Sequence, residues 1–246
     1  MATTEDAKQD LREETWAALQ DAGVARFPGA RGRIPNFTGA EAAAERLAEA
    51  QRWQRAATVK SNPDSPQWPV RQRALQAGKT VFMAVPRLRE AHPFLRLEPD
   101  ALEVSPRAAS SIKGSARYGI PTAVEDLEPV DVVVVGCVAA DRSGARLGKG
   151  GGFADLEFAL ASAAGLIGPG TWVVTTVHPV QVVDDGRIPM TVHDVPLDAV
   201  VTPDEIIPCH RDRTRPGGVL WDRLEDSKIE GIPLLRWLRD TAGTND

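Results

Sequence analysis

The stretch Asp131-Val132-Val133-Val134-Val135-Gly136-Cys137-Val138-Ala139 decides the fold. It is β-branched and does not alternate between apolar and polar, so a strand built from it is apolar on both faces. Such a strand belongs inside a parallel sheet that helices cover on either side. We read all of residues 131–139 as that strand. The next forty residues have the matching order: a glycine-rich loop, a helix over about residues 154–164, a Gly/Pro break and a second apolar strand over residues 171–177. Strand, loop, helix and strand make a βαβ unit.

Working outward, the same alternation extends in both directions. Upstream, residues 80–85 and 94–97 read as strands, and residues 59–64 as a short strand running into a loop. Pro69 opens a helix that reaches about residue 77, where Gly78 ends it. Two amphipathic helices are expected at the start, over residues 4–21 and 39–56. The first carries Lys8 and Arg12 four residues apart, hence on one face. Downstream, strands are expected at 199–202 and 206–208, and a final helix at about 232–240. The fold class is therefore α/β, a doubly wound and mainly parallel sheet with helices on both faces. Its ligands are expected beyond the C-terminal ends of the strands. We take residues 1–246 as one domain.

Bulk properties exclude several functions. The hydrophobic fraction of 42% and charged fraction of 26% are ordinary for a globular protein. A net charge of −5 gives no general field for polyanions, so nucleic acid is an unexpected partner. The charged N-terminus lacks the apolar core of a signal peptide, and no apolar run approaches the roughly 20 residues that span a bilayer. We therefore expect a cytoplasmic protein without membrane attachment. Cys137, Cys209 and the four histidines fall at spacings unsuited to a metal site.

The chemistry concentrates in Arg146-Leu147-Gly148-Lys149-Gly150-Gly151-Gly152-Phe153-Ala154-Asp155. Glycine lets backbone N–H groups surround an anion, and the helix after it adds unpaired donors and positive dipole character. Lys149 and Arg146 add cations, and Asp155 is suited to hold Mg²⁺ against phosphate oxygens or to act as a helix-dipole residue. The run is not a Walker loop, because no Gly-Lys-Ser/Thr is present, and it makes a poor dinucleotide fingerprint.

Gly148, Gly150, Gly152 and Asp155 resemble the Gly-x-Gly-x-Gly-Tyr-Tyr-Asp signature of the 5-formyltetrahydrofolate cyclo-ligase (methenyltetrahydrofolate synthetase) family, with Phe153 and Ala154 in place of the tyrosines. Lys8 and Arg12 are similar to the family's Lys-x-x-x-Arg pair, and Ile188-Pro189-Met190-Thr191-Val192-His193-Asp194-Val195-Pro196-Leu197-Asp198 resembles its Pro-x-x-x-x-Asp-x-x-x-Asp segment. The whole looks most like the divergent branch that includes the methenyltetrahydrofolate synthetase domain-containing proteins.

The resemblance implies an ATP- and Mg²⁺-dependent ligase that converts 5-formyltetrahydrofolate to 5,10-methenyltetrahydrofolate, ADP and phosphate. It implies nucleotide contacts at Lys8, Arg12, Arg146, Gly148, Lys149, Gly150, Gly151, Gly152, Phe153 and Ala154, and Mg²⁺ ligands at Asp155 and Asp194. No catalytic nucleophile is implied. Asp64 is the acid nearest to where the family contacts folate, and Trp68, Tyr118 and Phe153 are candidates for stacking on a pterin or adenine ring. Two alternatives stand beside this reading: an ATP-using relative acting on another small metabolite, and a non-catalytic nucleotide- or folate-binding regulator.

Overall fold

In the computed structural model, residues 3–85, 92–123, 126–210 and 213–242 are described. The strands are β1 (Thr58–Ser61), β2 (Thr80–Ala84), β3 (Phe94–Leu97), β4 (Ile120–Thr122), β5 (Val132–Val134), β6 (Ala139–Ala140), β7 (Arg146–Leu147), β8 (Trp172–Thr176), β9 (Ala199–Val201) and β10 (Ile206–Pro208). The helices are α1 (Thr4–Asp21), α2 (Ala40–Glu49), α3 (Gln51–Arg55), α4 (Trp68–Gln76), α5 (Pro106–Ala109), α6 (Ile112–Tyr118), α7 (Phe153–Ala163), α8 (Asp226–Gly231) and α9 (Pro233–Ala242). Eight strands form one sheet in the order β10-β9-β8-β5-β1-β2-β3-β4. From β9 to β2 neighbouring strands are parallel, and the antiparallel strands β10, β3 and β4 lie at the edges.

The valine run explains the layering. Val132 and Val134 pack with Leu47 of α2 and with Val70 and Leu75 of α4 on one face. Val133 points the other way, among Leu156, Phe158 and Leu160 of α7. Each face therefore buries its own helices, as an unalternating β-branched strand requires. α1 lies elsewhere: Leu11 packs with Ala139, Ala145 and Leu147 of the β6–β7 ribbon, while Trp16 and Leu19 pack with Ile34 and Val138.

Two expectations change, and several short elements are not expected at all. The strand expected to run through 139 leaves the sheet after Val134. The Gly136 N–H instead donates to Asn62 Oδ1 at 3.1 Å, and a Cβ there would stand 2.8 Å from Gln67 Oε1 and 2.9 Å from Ile34 Cγ2. This close approach needs glycine and turns the chain into the β6–β7 ribbon. The helix expected over 39–56 breaks at Ala50, whose backbone is extended (ψ 134°), and α3 restarts at an angle that buries Trp53 to 2% exposure. Burial of one large aromatic side chain outweighs the high helix propensity around Ala50. Finally, β4, α5, α6 and α8 are elements the sequence does not announce, since each is too short to show a period. Among the described residues, no helix is long and apolar enough to cross a membrane.

Candidate active site

The strand order reverses direction beside β1: β2 lies on one side, whereas β5, β8 and β9 extend on the other. A crevice opens at such a point beyond the C-terminal strand ends. Here it is a cleft of about 470 Å³, lined by Asn62, Pro63 and Asp64 after β1, Val85 after β2, Gly136 after β5, and the turn leading into α7. The turn is bent by left-handed glycines, Gly150 at φ 100° and Gly152 at φ 64°, and Gly152 is the residue immediately before α7. Its helix-start N–H groups and dipole face an anion favourably.

α1 backs the turn from behind the cleft lining. Lys8 and Arg12 are both buried, at 7% and 3% exposure, because α1 is pressed onto the β6–β7 ribbon. Arg12 Nε donates to the Gly148 carbonyl at 2.9 Å and its Nη1 to Glu5 Oε1 at 2.8 Å and Gln9 Oε1 at 3.1 Å. Lys8 Nζ donates to Asp194 Oδ2 at 2.7 Å. The same oxygen accepts the Thr191 N–H at 2.6 Å and the Thr191 hydroxyl at 2.8 Å. Burial disfavours the Asp194 carboxylate, yet Lys8 and Thr191 together outweigh it and hold the group below the usual carboxylate range.

Arg146 and Asp155 form a second locked pair. Arg146 Nη2 donates to Asp155 Oδ1, its Nε donates to the Val195 carbonyl at 3.1 Å, and the Val195 N–H returns to Asp155 Oδ1 at 2.9 Å. These bonds tie the start of α7 to the segment preceding β9. Lys149 Nζ stands 3.4 Å from Asp64 Oδ1 across the cleft.

Thus the structure brings Arg146, Gly148, Lys149, Gly151, Gly152, Phe153, Ala154, Asp155 and Asp64 into one cleft lining, with Lys8, Arg12, Gly150 and Asp194 directly behind it. Trp68 and Tyr118 are elsewhere. The Trp68 indole donates to the Arg107 carbonyl and Ser110 Oγ, both at 3.1 Å, with the Arg107 guanidinium 4.5 Å from its ring. Tyr118 ends α6 with the Arg117 guanidinium 5.2 Å from its ring. Neither lines the cleft.

Sequence reasoning passes over the cleft floor. Glu157 Oε2 accepts from Lys60 Nζ at 2.6 Å and from Asn62 Nδ2 at 2.8 Å, all within the buried interior. Only Glu157 carries a local signal, an acid between the apolar Leu156 and Phe158; Lys60 lies between Val59 and the polar Ser61 and has none. Arg71, buried in α4, fixes the neighbouring loop by donating to the carbonyls of Asn62 at 2.6 Å, Asp64 at 3.2 Å and Ser110 at 3.0 Å. Burial lowers its pKa to about 9, against the pull of Asp64, so it is cationic at neutral pH.

Residues 4–203 match the profile of the 5-formyltetrahydrofolate cyclo-ligase family. The methenyltetrahydrofolate synthase domain-containing protein of Bos taurus is 37% identical over 235 residues, covering 95% of this chain and 62% of that protein. Its Homo sapiens counterpart is 36% identical over 235 residues, covering 95% and 61%. The chain therefore spans about three fifths of the length of these curated relatives. The mitochondrial 5-formyltetrahydrofolate cyclo-ligase of Arabidopsis thaliana is 38% identical over 85 residues, 33% of this chain and 30% of that protein. In fold, the chain is similar to the NMR structure of Aquifex aeolicus 5,10-methenyltetrahydrofolate synthetase, with a TM-score of 0.54 and 18% identity over 86% of this chain and 95% of that one.

Proposed function

We propose, from the premise that this chain belongs to the 5-formyltetrahydrofolate cyclo-ligase family, that residues 1–246 act as one ATP- and Mg²⁺-dependent unit closing 5-formyltetrahydrofolate to 5,10-methenyltetrahydrofolate, with release of ADP and phosphate. The observation that carries the reading is the cleft itself: a left-handed glycine turn at the start of α7, placed beside the reversal of strand order and backed by Lys8, Arg12, Arg146 and Lys149. A cytoplasmic location is part of this proposal.

A formamide oxygen is a poor leaving group. Transfer of the terminal phosphoryl group of ATP to that oxygen makes it a phosphate ester. The neighbouring side-chain amine nitrogen of the folate then attacks the formyl carbon, loses its proton to solvent and closes the new ring as the carbon–oxygen bond breaks and phosphate departs. The protein needs no covalent nucleophile for this, only positioning and charge stabilisation. The turn N–H groups and the cations bind and orient the phosphates. Burial pushes the Cys137 thiol up to about 11 and the Cys209 thiol up to about 12, so both stay protonated and unreactive at neutral pH.

The proposed Mg²⁺ ligands are the carboxylates of Asp155 and Asp194. Among the described residues no group of three or more His, Cys, Asp or Glu side chains could hold a metal ion, so phosphate oxygens and water would have to complete the shell. Asp155 and Asp194 each direct one oxygen to protein donors, leaving the other for a hard cation that takes one or two carboxylates and completes its shell with phosphate oxygens and water. When bound there, the ion neutralises phosphate charge. Asp64 and Phe153 are the folate contacts we retain, because both line the cleft.

The test is growth of the methenyl product's near-ultraviolet absorbance with ATP, Mg²⁺ and 5-formyltetrahydrofolate. No product under these conditions refutes the reading. One observation favours a regulator instead: Lys8, Arg12 and Arg146 are each already paired with a carboxylate. Calorimetric ATP binding with no turnover of any folate would support that second reading.

A further inference from the structure

The chain after residue 203 lies beyond the family profile, which ends there, and it reaches back to the glycine turn. Ile229, Ile232, Leu234 and Leu235 are buried with Leu156, Phe158 and Leu160, so apolar burial docks α8 and α9 against α7. That docking sets Lys228 over the turn. Its Nζ donates to the Gly151 carbonyl at 3.3 Å, stands 5.5 Å from the centre of the Phe153 ring, and would be 3.1 Å from a Cβ on Gly152.

The nearby cations differ in what they have left to offer. Lys8 meets Asp194 at 2.7 Å, Arg12 meets Glu5 at 2.8 Å, Lys149 meets Asp64 at 3.4 Å, and Arg146 meets Asp155. Among the described residues, Lys228 meets no carboxylate. Its ammonium has three donors, of which the Gly151 carbonyl takes one. The residue is half-buried and its bond to the Gly151 carbonyl is exposed to solvent, so its ammonium is open to a ligand entering the turn.

We propose that Lys228 is a phosphate-binding residue, donating to an oxygen of the polyphosphate held in the turn, so that the C-terminal segment completes a site the family-matched region leaves open on that side. The identity of the ligand as a nucleotide rests on the function proposed above. The phosphate chemistry does not.

Calorimetry on the full chain separates the two, using ATP, adenosine and inorganic tripolyphosphate with the parent, Lys228→Ala and Lys228→Arg. Lys228→Ala should weaken ATP and tripolyphosphate about ten-fold, the size of one charge-assisted hydrogen bond discounted for partial exposure. Adenosine should be unaffected and Lys228→Arg should recover most of the loss. Tripolyphosphate binding that depends on Lys228 in a protein that ignores ATP would sustain the phosphate site and remove the nucleotide reading. ATP and tripolyphosphate affinities of Lys228→Ala within two-fold of the parent would overturn the proposal. So would an equal loss for adenosine accompanied by a lower melting temperature, which would mark Lys228 as a packing residue, and so would a parent protein that binds neither phosphate ligand.

Discussion

Replacing Asp155 with alanine should cost stability even where no metal is present. The Arg146 side chain is 2% exposed, and one of its guanidinium arms ends on Asp155 Oδ1. The same oxygen takes the Val195 N–H at 2.9 Å. Alanine would therefore strand a buried guanidinium arm and a backbone donor together. Removing one member of a buried ion pair costs about 3–5 kcal/mol. The Asp155 side chain keeps 16% exposure, through which water can reach the stranded groups, and that places the cost at the lower end. About 3 kcal/mol, at roughly 2–4 °C per kcal/mol for a chain of this size, lowers the melting temperature by about 6–12 °C. The assay is thermal unfolding followed by circular dichroism without nucleotide or Mg²⁺. Asp155→Asn, which retains an acceptor for Val195 but loses the charge, should fall between parent and alanine. Arg146→Met combined with Asp155→Ala should recover part of the loss, because no charge is left buried alone. An Asp155→Ala protein that melts within about 2 °C of the parent in metal-free buffer would contradict the buried Arg146–Asp155 pair. It would mean that the carboxylate is not engaged with Arg146 and is free for a cation. Lost activity in this variant therefore identifies a metal ligand only when stability and Mg²⁺ dependence are measured beside it.

Glu157→Ala should destabilise by about 3–5 kcal/mol in denaturant melts, because it leaves Lys60 buried and unpaired, while Lys60→Met with Glu157→Leu should regain most of that stability; equal midpoints for the single and double variants would contradict the buried pair. Asp194 has its carboxyl held below its usual 3.8, so the stability it lends is complete above that value and is lost as the pH falls through the lower folded-state pKa. The melting-temperature gap between the parent and Lys8→Met should accordingly be steady from neutral pH to about 5 and close in stronger acid, and a gap that widens on acidification would count against the pair. Gly150→Ala forces a side chain onto φ +100° with its Cβ 3.5 Å from Arg12 Cζ, at a cost of about 1–3 kcal/mol and with weakened ATP binding. Gly148→Ala meets nothing closer than Arg146 Nη1 at 3.9 Å and should be milder, so equal effects at the two positions would be evidence against the turn geometry. Thiol reagents at pH 8 should leave Cys137 unmodified in the native protein and label it on unfolding, which ultraviolet titration of released chromophore would read directly.

Much of the scaffold is legible in the sequence because its signals are local. The length of α1 comes from apolar periodicity, and the same spacing puts Lys8 and Arg12 on one face. The valine run announces a strand buried on both sides, and the crowding of Gly148, Gly150, Gly151 and Gly152 before a helix announces a glycine turn, which the left-handed Gly150 and Gly152 make. Propensity and periodicity act between residues near one another in the chain, and each of these features is one continuous segment.

By itself the sequence determined the α/β class, the βαβ unit and the turn at its centre, since each depends on residues adjacent in the chain. The tertiary structure alone decided the rest. It turned the chain out of the sheet at Gly136, where the side chain of Asn62 takes the backbone donor. It bonded Lys60 to Glu157 across 97 residues, committed Lys8 to Asp194 across 186, and carried Lys228 onto a turn 77 residues earlier. Those pairings depend on the order in which strands lie side by side and on which apolar faces dock. Both are set by burial summed over the whole chain, so no short window of sequence contains them.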